Sequence, residues 1–134
     1  CLLSRGLGDV YKRQVCYSSV ATASDLEAPV IVAPSVSGFT TRMLSKWRPK
    51  VLIAGLSPSM TAVRQMQLYW GVKPFHAKRA ESTDALLFAS VELLKEKGIV
   101  KEGEIVVATA GVVTRANRHE PVADTNIMRV IVVE

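Results

Sequence analysis

Residues 29–50 read PVIVAPSVSGFTTRMLSKWRPK, a strand-like run, a polar turn and a helix-like run in direct succession. The run Pro29–Ala33 is apolar and rich in β-branched residues, which is typical of a strand buried on both faces. The helix predicted after the turn ends at Arg48, because Pro49 cannot continue it. These residues therefore predict the local arrangement of strand, turn and helix that proteins use to hold a phosphate group.

The turn between this strand and this helix has the composition of an anion-binding site. Backbone N–H groups and the positive end of the helix dipole point at a ligand in such a turn. Some of its hydroxyl groups could act only as helix caps, and Ser37 or Thr40 is the expected cap. Because no general base, metal cluster or activated nucleophile lies close in sequence, binding is expected here and catalysis is not. The hydroxyl residues surround Gly38 and are Ser35, Ser37, Thr40 and Thr41.

The alternation of strand and helix continues along the chain. Further apolar runs predict strands at Val51–Leu56, Val72–Ala77, Glu104–Gly111 and Thr125–Val133. A helix is expected over Val15–Leu26, with Val15, Ser19, Ala23 and Leu26 on one face. Another should start at Ser57-Pro58 and bury Met60, Val63, Met66 and Trp70. The clearest helix opens at Ser82-Thr83-Asp84 and turns Leu86, Leu87, Val91 and Leu94 inward.

Strands that alternate with helices predict an α/β fold with a mostly parallel sheet covered on both faces. Pro74 places the third strand near an edge of the sheet. Residues 112–124 are too polar and too short for a crossover helix, so the fifth strand should be antiparallel at an edge. Ligands of such sheets bind beyond the carboxyl ends of the parallel strands, where the turn at 35–41 lies. If the first and fourth strands are neighbours, one pocket can contain residues from the turn at 35–41 and from the start of the loop at 112–124, which follows the fourth strand.

The composition narrows the classes of partner. A chain of 134 residues with 49% hydrophobic and 22% charged residues suits one soluble globular domain. Its apolar runs fall far short of the roughly 20 residues of a membrane span, so no membrane partner is expected. The net charge of +5 comes from scattered Lys and Arg, so no nucleic-acid partner is expected either. His76 and His119 lack companions at metal-ligand spacing, so no metal site is expected.

Residues 1–14, CLLSRGLGDVYKRQ, are expected to be a non-native tail preceding a domain over residues 15–134. Their ending resembles a translated cloning adaptor, and they show no periodicity that continues into the next segment. Without them Cys16 is the remaining cysteine, which fits a reducing cytoplasm. Cys16 itself is expected to be a small buried hydrophobe and not a reactive thiol.

From about Val15 onward the chain resembles the C-terminal domain of pyruvate kinase. The resemblance is carried by VCYSSVATASDL, IVAPSVSGFTTRMLSKWRPK, TAVRQMQLYWGVKPF and DTNIMRV. It implies a three-layer α/β/α domain with five strands, the last antiparallel, attached to a catalytic barrel and a lid domain that lie outside this segment. The family transfers a phosphoryl group from phosphoenolpyruvate to ADP, with Mg²⁺ and often K⁺ on the barrel. No catalytic residue and no cofactor are therefore expected here, since such transfer needs metal ions and cationic groups.

The resemblance also implies regulation by a phosphorylated effector, commonly fructose 1,6-bisphosphate, gripped by the turn after the first strand. By position this assigns Ser35, Ser37, Gly38 and Thr40, with Thr41 a weaker addition. Arg115 and Arg118 are candidates for a second anionic contact. Phe39 replaces a polar residue of the family, no tryptophan precedes the fourth strand at the position that would hold a second phosphate, and the loop at 112–124 differs. The effector therefore stays open between fructose 1,6-bisphosphate, AMP, ribose 5-phosphate and none.

Family members are homotetramers in which these domains touch. This implies that the strand Thr125–Val133 lies at or near a subunit interface, although a covered edge within one subunit would explain its sequence equally well. A free-standing sensor of phosphorylated ligands is the alternative to a regulatory domain.

Overall fold

Four helices and five strands form within the residues that the computed structural model describes, 2–111 and 125–134. The helices are α1 (Leu2–Asp25), α2 (Phe39–Lys46), α3 (Met60–Met66) and α4 (Thr83–Glu96). The strands are β1 (Val30–Pro34), β2 (Leu52–Ser57), β3 (Val72–His76), β4 (Ile105–Gly111) and β5 (Thr125–Val132). Each of the five predicted strands is present within one or two residues of its expected bounds.

The strands form one sheet in the order β3-β2-β1-β4-β5. β1 pairs in parallel with both β2 and β4, β2 pairs in parallel with β3, and β5 runs antiparallel to β4. The chain thus starts at the centre, builds outward through β2 and β3, and then crosses to the other side of β1. This confirms the predicted fold class and the antiparallel last strand. The first and fourth strands are neighbours, which is the condition for one pocket to receive residues from both.

Two apolar layers sandwich the sheet, because the side chains of β1 alternate between its faces. Val30 and Val32 pack toward α4, together with Leu87, Leu94 and other residues. Ile31 and Ala33 pack on the opposite face in one cluster with Cys16 of α1 and Leu44 of α2. Val30 through Ala33 are fully buried, as expected of a central strand. The molecule is therefore the three-layer α/β/α sandwich that the sequence predicts.

Helix α1 begins thirteen residues before the expected start at Val15. Residues 2–14 thus continue into the helix at Val15, although their sequence shows no periodicity that predicts this, and their non-native origin stays a prediction. Once the buried face from Cys16 to Ala23 has fixed a helix, extending it through residues with good helix propensity such as Lys12, Arg13 and Gln14 costs little. Leu26 lies beyond the helix end and is 41% exposed, so it does not join the buried face.

Helix α3 starts two residues later than predicted. Ser57 remains in the sheet, where its carbonyl accepts from Ala77 N at 3.0 Å, so it cannot cap a helix. Ser59 is the cap instead and accepts from Ala62 N at 3.4 Å. The later start and the early end at Met66 leave Met60 and Trp70 about half exposed, which corrects their prediction as core residues.

Helix α4 begins as predicted, with Ser82 accepting from Ala85 N at 3.1 Å. Its buried face includes Leu87, Val91 and Leu94, and Leu86 is partly buried.

Candidate functional site

The turn between β1 and α2 lies at the carboxyl edge of the sheet, beside the point where the chain changes direction around β1. Ser35 N donates to Leu56 O at 2.8 Å, which extends the pairing of β1 with β2 by one residue. The first helical hydrogen bond of α2 runs from Arg42 N to Gly38 O at 3.0 Å. The four residues from Ser35 to Gly38 therefore connect a fixed strand end to a fixed helix start.

Gly38 closes the turn in the left-handed conformation, with φ of 81° and ψ of 5°. Glycine adopts this conformation without the steric cost that a Cβ atom brings. A Cβ atom here would also lie 3.2 Å from Met66 Cγ, so α3 backs the turn closely. Gly38, which has no side chain, occupies the N-cap position of α2, and this corrects the prediction of Ser37 or Thr40 as the N-cap residue. Ser37 lies one residue too early and Thr40 lies inside the first helical turn.

The two serine hydroxyl groups of the turn accept from backbone N–H groups. Ser35 Oγ accepts from Gly38 N at 3.0 Å, and Ser37 Oγ accepts from Phe39 N at 3.4 Å. A hydroxyl that accepts still has its own proton to donate. Ser37 is exposed and Ser35 is half-buried, so both hydroxyl groups can offer this proton to an oxyanion at the surface.

The two threonines of the turn are buried. Thr41 Oγ1 donates to Gly38 O at 2.7 Å, so its proton is used within the protein. Its methyl group packs over β2, where a Cβ atom on Gly55 would lie only 2.8 Å from Thr41 Cγ2. Thr40 is 4% exposed. The structure thus brings all five predicted residues into one turn, with the serines outside and the threonines inside.

The two arginines predicted as a second anionic contact, Arg115 and Arg118, lie outside the described residues. Within the turn at 35–41, the side chains of Val36 and Phe39 are 54% and 39% exposed. Phe39 also lies under a cation, since Lys12 Nζ is 5.0 Å from its ring centre. Arg42, in the first turn of α2, is exposed. The turn therefore has both apolar and cationic groups at its rim.

Ser57, at the end of β2, contacts the turn from below and was missed by the sequence reasoning. Its Oγ donates to Val36 O at 3.0 Å and accepts from Ser59 N at 3.1 Å. A signal was available, because Ser57 directly follows the predicted strand Val51–Leu56, and neighbouring parallel strands end at the same edge, where Ser35 follows β1. The position after the strand was interpreted only as a helix cap.

Three further observations on the described residues concern Cys16, possible metal sites and membrane-spanning helices. Cys16 is fully buried, and burial raises the pKa of its thiol from 9.0 to about 11, which agrees with its expected role as a core residue. Among the side chains that the structure describes, no three or more from His, Cys, Asp or Glu come together as a possible metal site. Within 2–111 and 125–134 no helix has the length and apolar character to cross a bilayer.

Comparisons with known proteins agree with the fold and with the motifs. A family model described as "Pyruvate kinase, alpha/beta domain" matches residues 13–131. The chain is 36% identical over 120 residues to the pyruvate kinase of Clostridium acetobutylicum, a match that covers 90% of this chain and 24% of that protein. It is 39% identical over 109 residues to the pyruvate kinase of Staphylococcus aureus, covering 81% of this chain and 18% of that protein.

A solved structure shows the same fold. The crystal structure of a pyruvate kinase from Cryptosporidium parvum matches with a TM-score of 0.79 at 22% identity, over 92% of this chain and 23% of that one. The chain thus spans a quarter or less of the length of these relatives. The match is confined to their C-terminal α/β domain and does not include the catalytic region. The family expected from the sequence motifs is confirmed, and this chain belongs to the pyruvate kinase α/β domain family.

Proposed function

We propose that this chain is the regulatory domain of a pyruvate kinase and that its turn Ser35–Thr41 binds a phosphate group of an effector. The observation that carries the proposal is the turn itself. Two outward serine hydroxyl groups and the N-terminus of α2 meet around a left-handed glycine at the carboxyl edge of a parallel sheet. Hydroxyl protons, backbone N–H groups and the helix dipole all favour an anion at that place.

The effector belongs to the class of sugar phosphates or nucleotides, represented by fructose 1,6-bisphosphate, ribose 5-phosphate and AMP. The exposed side chains of Val36 and Phe39 offer an apolar surface beside the phosphate position, against which a sugar or a base could lie. A single turn holds one phosphate group. A second phosphate would need cationic groups from another segment, for which Arg115 and Arg118 remain our candidates.

The longer enzyme would transfer a phosphoryl group from phosphoenolpyruvate to ADP in the cytoplasm. Mg²⁺ and K⁺ would be held by its catalytic domain, as the family resemblance implies. The present domain would affect phosphoryl transfer only by binding its effector and by contacting the other domains.

Sequencing upstream of residue 15 tests whether the chain is part of this longer enzyme, since a reading frame that encodes a catalytic barrel is expected. A start codon there without barrel sequence would favour the free-standing sensor.

Binding can be tested by titration calorimetry of this chain with inorganic phosphate and the three effectors. For whichever ligand binds to the wild type, Ser37→Ala should lower the affinity about tenfold or more. The reason is that a hydrogen bond to a charged group contributes about 1.5–3 kcal/mol. Ser24→Ala is the matched control, because Ser24 is also exposed but lies near the end of α1, at the opposite edge of the sheet. Equal affinity of wild type and Ser37→Ala would contradict the assignment of the turn.

We also propose that β5 contributes to a homo-oligomer. β5 is the last strand of the sheet, and strand edges readily pair with other chains. Val130 and Val132 of β5 are 45% and 58% exposed, which leaves apolar surface beside this edge. In the longer enzyme, a homotetramer by expectation, Val132→Lys should lower the sedimentation mass of the assembly. Leu68→Lys, at an 86% exposed position just before β3 on the other side of the sheet, should not. If both variants still form an assembly of full mass, β5 does not lie at the interface.

A further inference from the structure

Ser57 lies directly beneath the proposed phosphate-binding turn. The residue is fully buried at the end of β2, and its hydroxyl both donates to Val36 O at 3.0 Å and accepts from Ser59 N at 3.1 Å. Its proton is therefore committed to the protein, and its burial keeps it from touching a ligand. Any effect of Ser57 on binding must pass through Val36.

The hydrogen bond from Ser57 sets the direction of a neighbouring donor. Val36 O and Ser37 N–H belong to the same peptide unit, which is planar and trans, so the two groups point in opposite directions. Because Val36 O points inward to the buried Ser57 hydroxyl, Ser37 N–H points outward. That is the side on which Ser37 is exposed and on which the serine hydroxyl groups can receive an anion.

Other contacts fix the two ends of the turn but not this peptide. Ser35 N is held by Leu56 O, Gly38 N by Ser35 Oγ, and Gly38 O by Arg42 N and Thr41 Oγ1. The hydrogen bond from Phe39 N reaches the Ser37 side chain and not the Val36–Ser37 peptide. Between these points the side chain of Val36 is 54% exposed, so burial does not anchor the residue. The flexible Gly38 follows closely and would tolerate a rotated peptide. The hydroxyl of Ser57 is thus the group that selects one orientation of the Val36–Ser37 peptide.

We infer that Ser57 is a positioning residue that orients the Ser37 N–H group as a phosphate donor, an inference that rests on the proposed function of the turn. Removing the hydroxyl would leave the part-buried Val36 O without this donor. The peptide would then rotate to bring its carbonyl to water, and the same rotation would turn Ser37 N–H away from the anion. A carbonyl oxygen facing the phosphate would add repulsion to the loss.

The test compares Ser57→Ala with Ser57→Thr, which restores a hydroxyl, and with Ser90→Ala. Ser90 is a matched control because it is 2% exposed and its Oγ donates to Leu86 O at 2.7 Å within α4, on the other face of the sheet. Each variant is titrated with inorganic phosphate and with fructose 1,6-bisphosphate. Ser57→Ala should bind about three to ten times more weakly than wild type, the range for one lost neutral hydrogen bond. Ser57→Thr should regain most of the affinity, and Ser90→Ala should bind as wild type does.

A second readout separates positioning from general destabilisation. In ¹⁵N-labelled protein, the Ser37 amide resonance should shift on addition of phosphate in wild type and in Ser90→Ala, and should shift far less in Ser57→Ala. If Ser57→Ala does not fold, Ser57→Cys keeps the volume with a weaker donor and should show the same loss.

Two failures can be told apart. Wild-type affinity in Ser57→Ala, with weakened binding in Ser37→Ala, overturns the inference and leaves the proposed function intact. Absence of phosphate and effector binding by the wild-type protein, or equal binding by wild type and Ser37→Ala, overturns both.

Discussion

Gly55, in the middle of β2, is the position where one added methyl group should disturb both the core and the binding turn. A Cβ atom at Gly55 would lie 2.7 Å from Met66 Sδ and 2.8 Å from Thr41 Cγ2, closer than such atoms approach. Both neighbours are themselves buried, at 0% exposure, so neither can simply move into solvent. Gly55→Ala therefore forces the side chains of Met66 and Thr41 to repack within the core, and strains the contacts of α3 and α2 with the sheet.

The expected cost combines two opposing effects. Overpacking a filled core costs about 1–3 kcal/mol, whereas replacing a glycine within a strand gains about 0.5–1 kcal/mol. We expect a net loss of about 1–2 kcal/mol in the free energy of unfolding, measured by urea denaturation. Phosphate affinity should also fall, because Thr41 supports Gly38 through its hydrogen bond to Gly38 O.

A double mutant decides whether the contact with Met66 is the cause. Met66→Ala alone should cost about 2–5 kcal/mol by leaving a cavity. In Gly55→Ala with Met66→Ala the new methyl group occupies part of that cavity, so the combined loss should be smaller than the two losses added together. Strict additivity, or a Gly55→Ala variant as stable as wild type, would refute the packing argument.

Two further predictions concern α4 and α1. Ser82→Ala removes the cap of α4 and should lower the free energy of unfolding by about 1 kcal/mol in urea denaturation. Thr83→Ala, one residue inside the same helix, should lower it clearly less. Equal losses in the two variants would contradict the assignment of Ser82 as the cap. For Cys16, burial raises the pKa of the folded thiol to about 11, above its ordinary value of 9.0, so the unfolded state loses its proton first as the pH rises. Stability from this group is complete below about pH 9 and should fall between about pH 9 and 11, and the fall should be shallower in Cys16→Ala; parallel pH profiles of the two proteins would contradict this.

Most of the strands and the start of α4 could be predicted because their signals are local. A run such as Pro29–Ala33 has few alternatives to a buried strand, and Ser82 stands directly before the apolar face that it caps. The starts of α1 and α3 could not be placed from local signals. The start of α1 depends on the helix that its buried face has already fixed, and the start of α3 depends on a competing interaction. Ser57 looks like a cap in sequence, but its backbone is held in the sheet by the next strand.

The candidate turn was predicted in composition but not in orientation. The sequence places five residues together, and only the fold shows that Thr41 faces inward to Gly38 O while Ser37 remains exposed. The support from Ser57 depends on the pairing of β1 with β2, a register that no single segment specifies. The part of the site that could not be predicted from the sequence is therefore the contact between residues of different strands, Ser57 on β2 and the turn after β1.

The central position of β1 has a consequence for how the chain folds during synthesis. β1 finds its partner β2 about twenty residues later, since Val30 pairs with Leu52, but its other edge waits for β4, where Ile31 pairs with Val107. While the intervening residues are made, a highly apolar strand keeps one edge open, and open edges are sites of aggregation. A chain truncated after Gly103 should therefore aggregate during translation far more than the same chain extended through β5, which a pelleting assay of both translation products would measure.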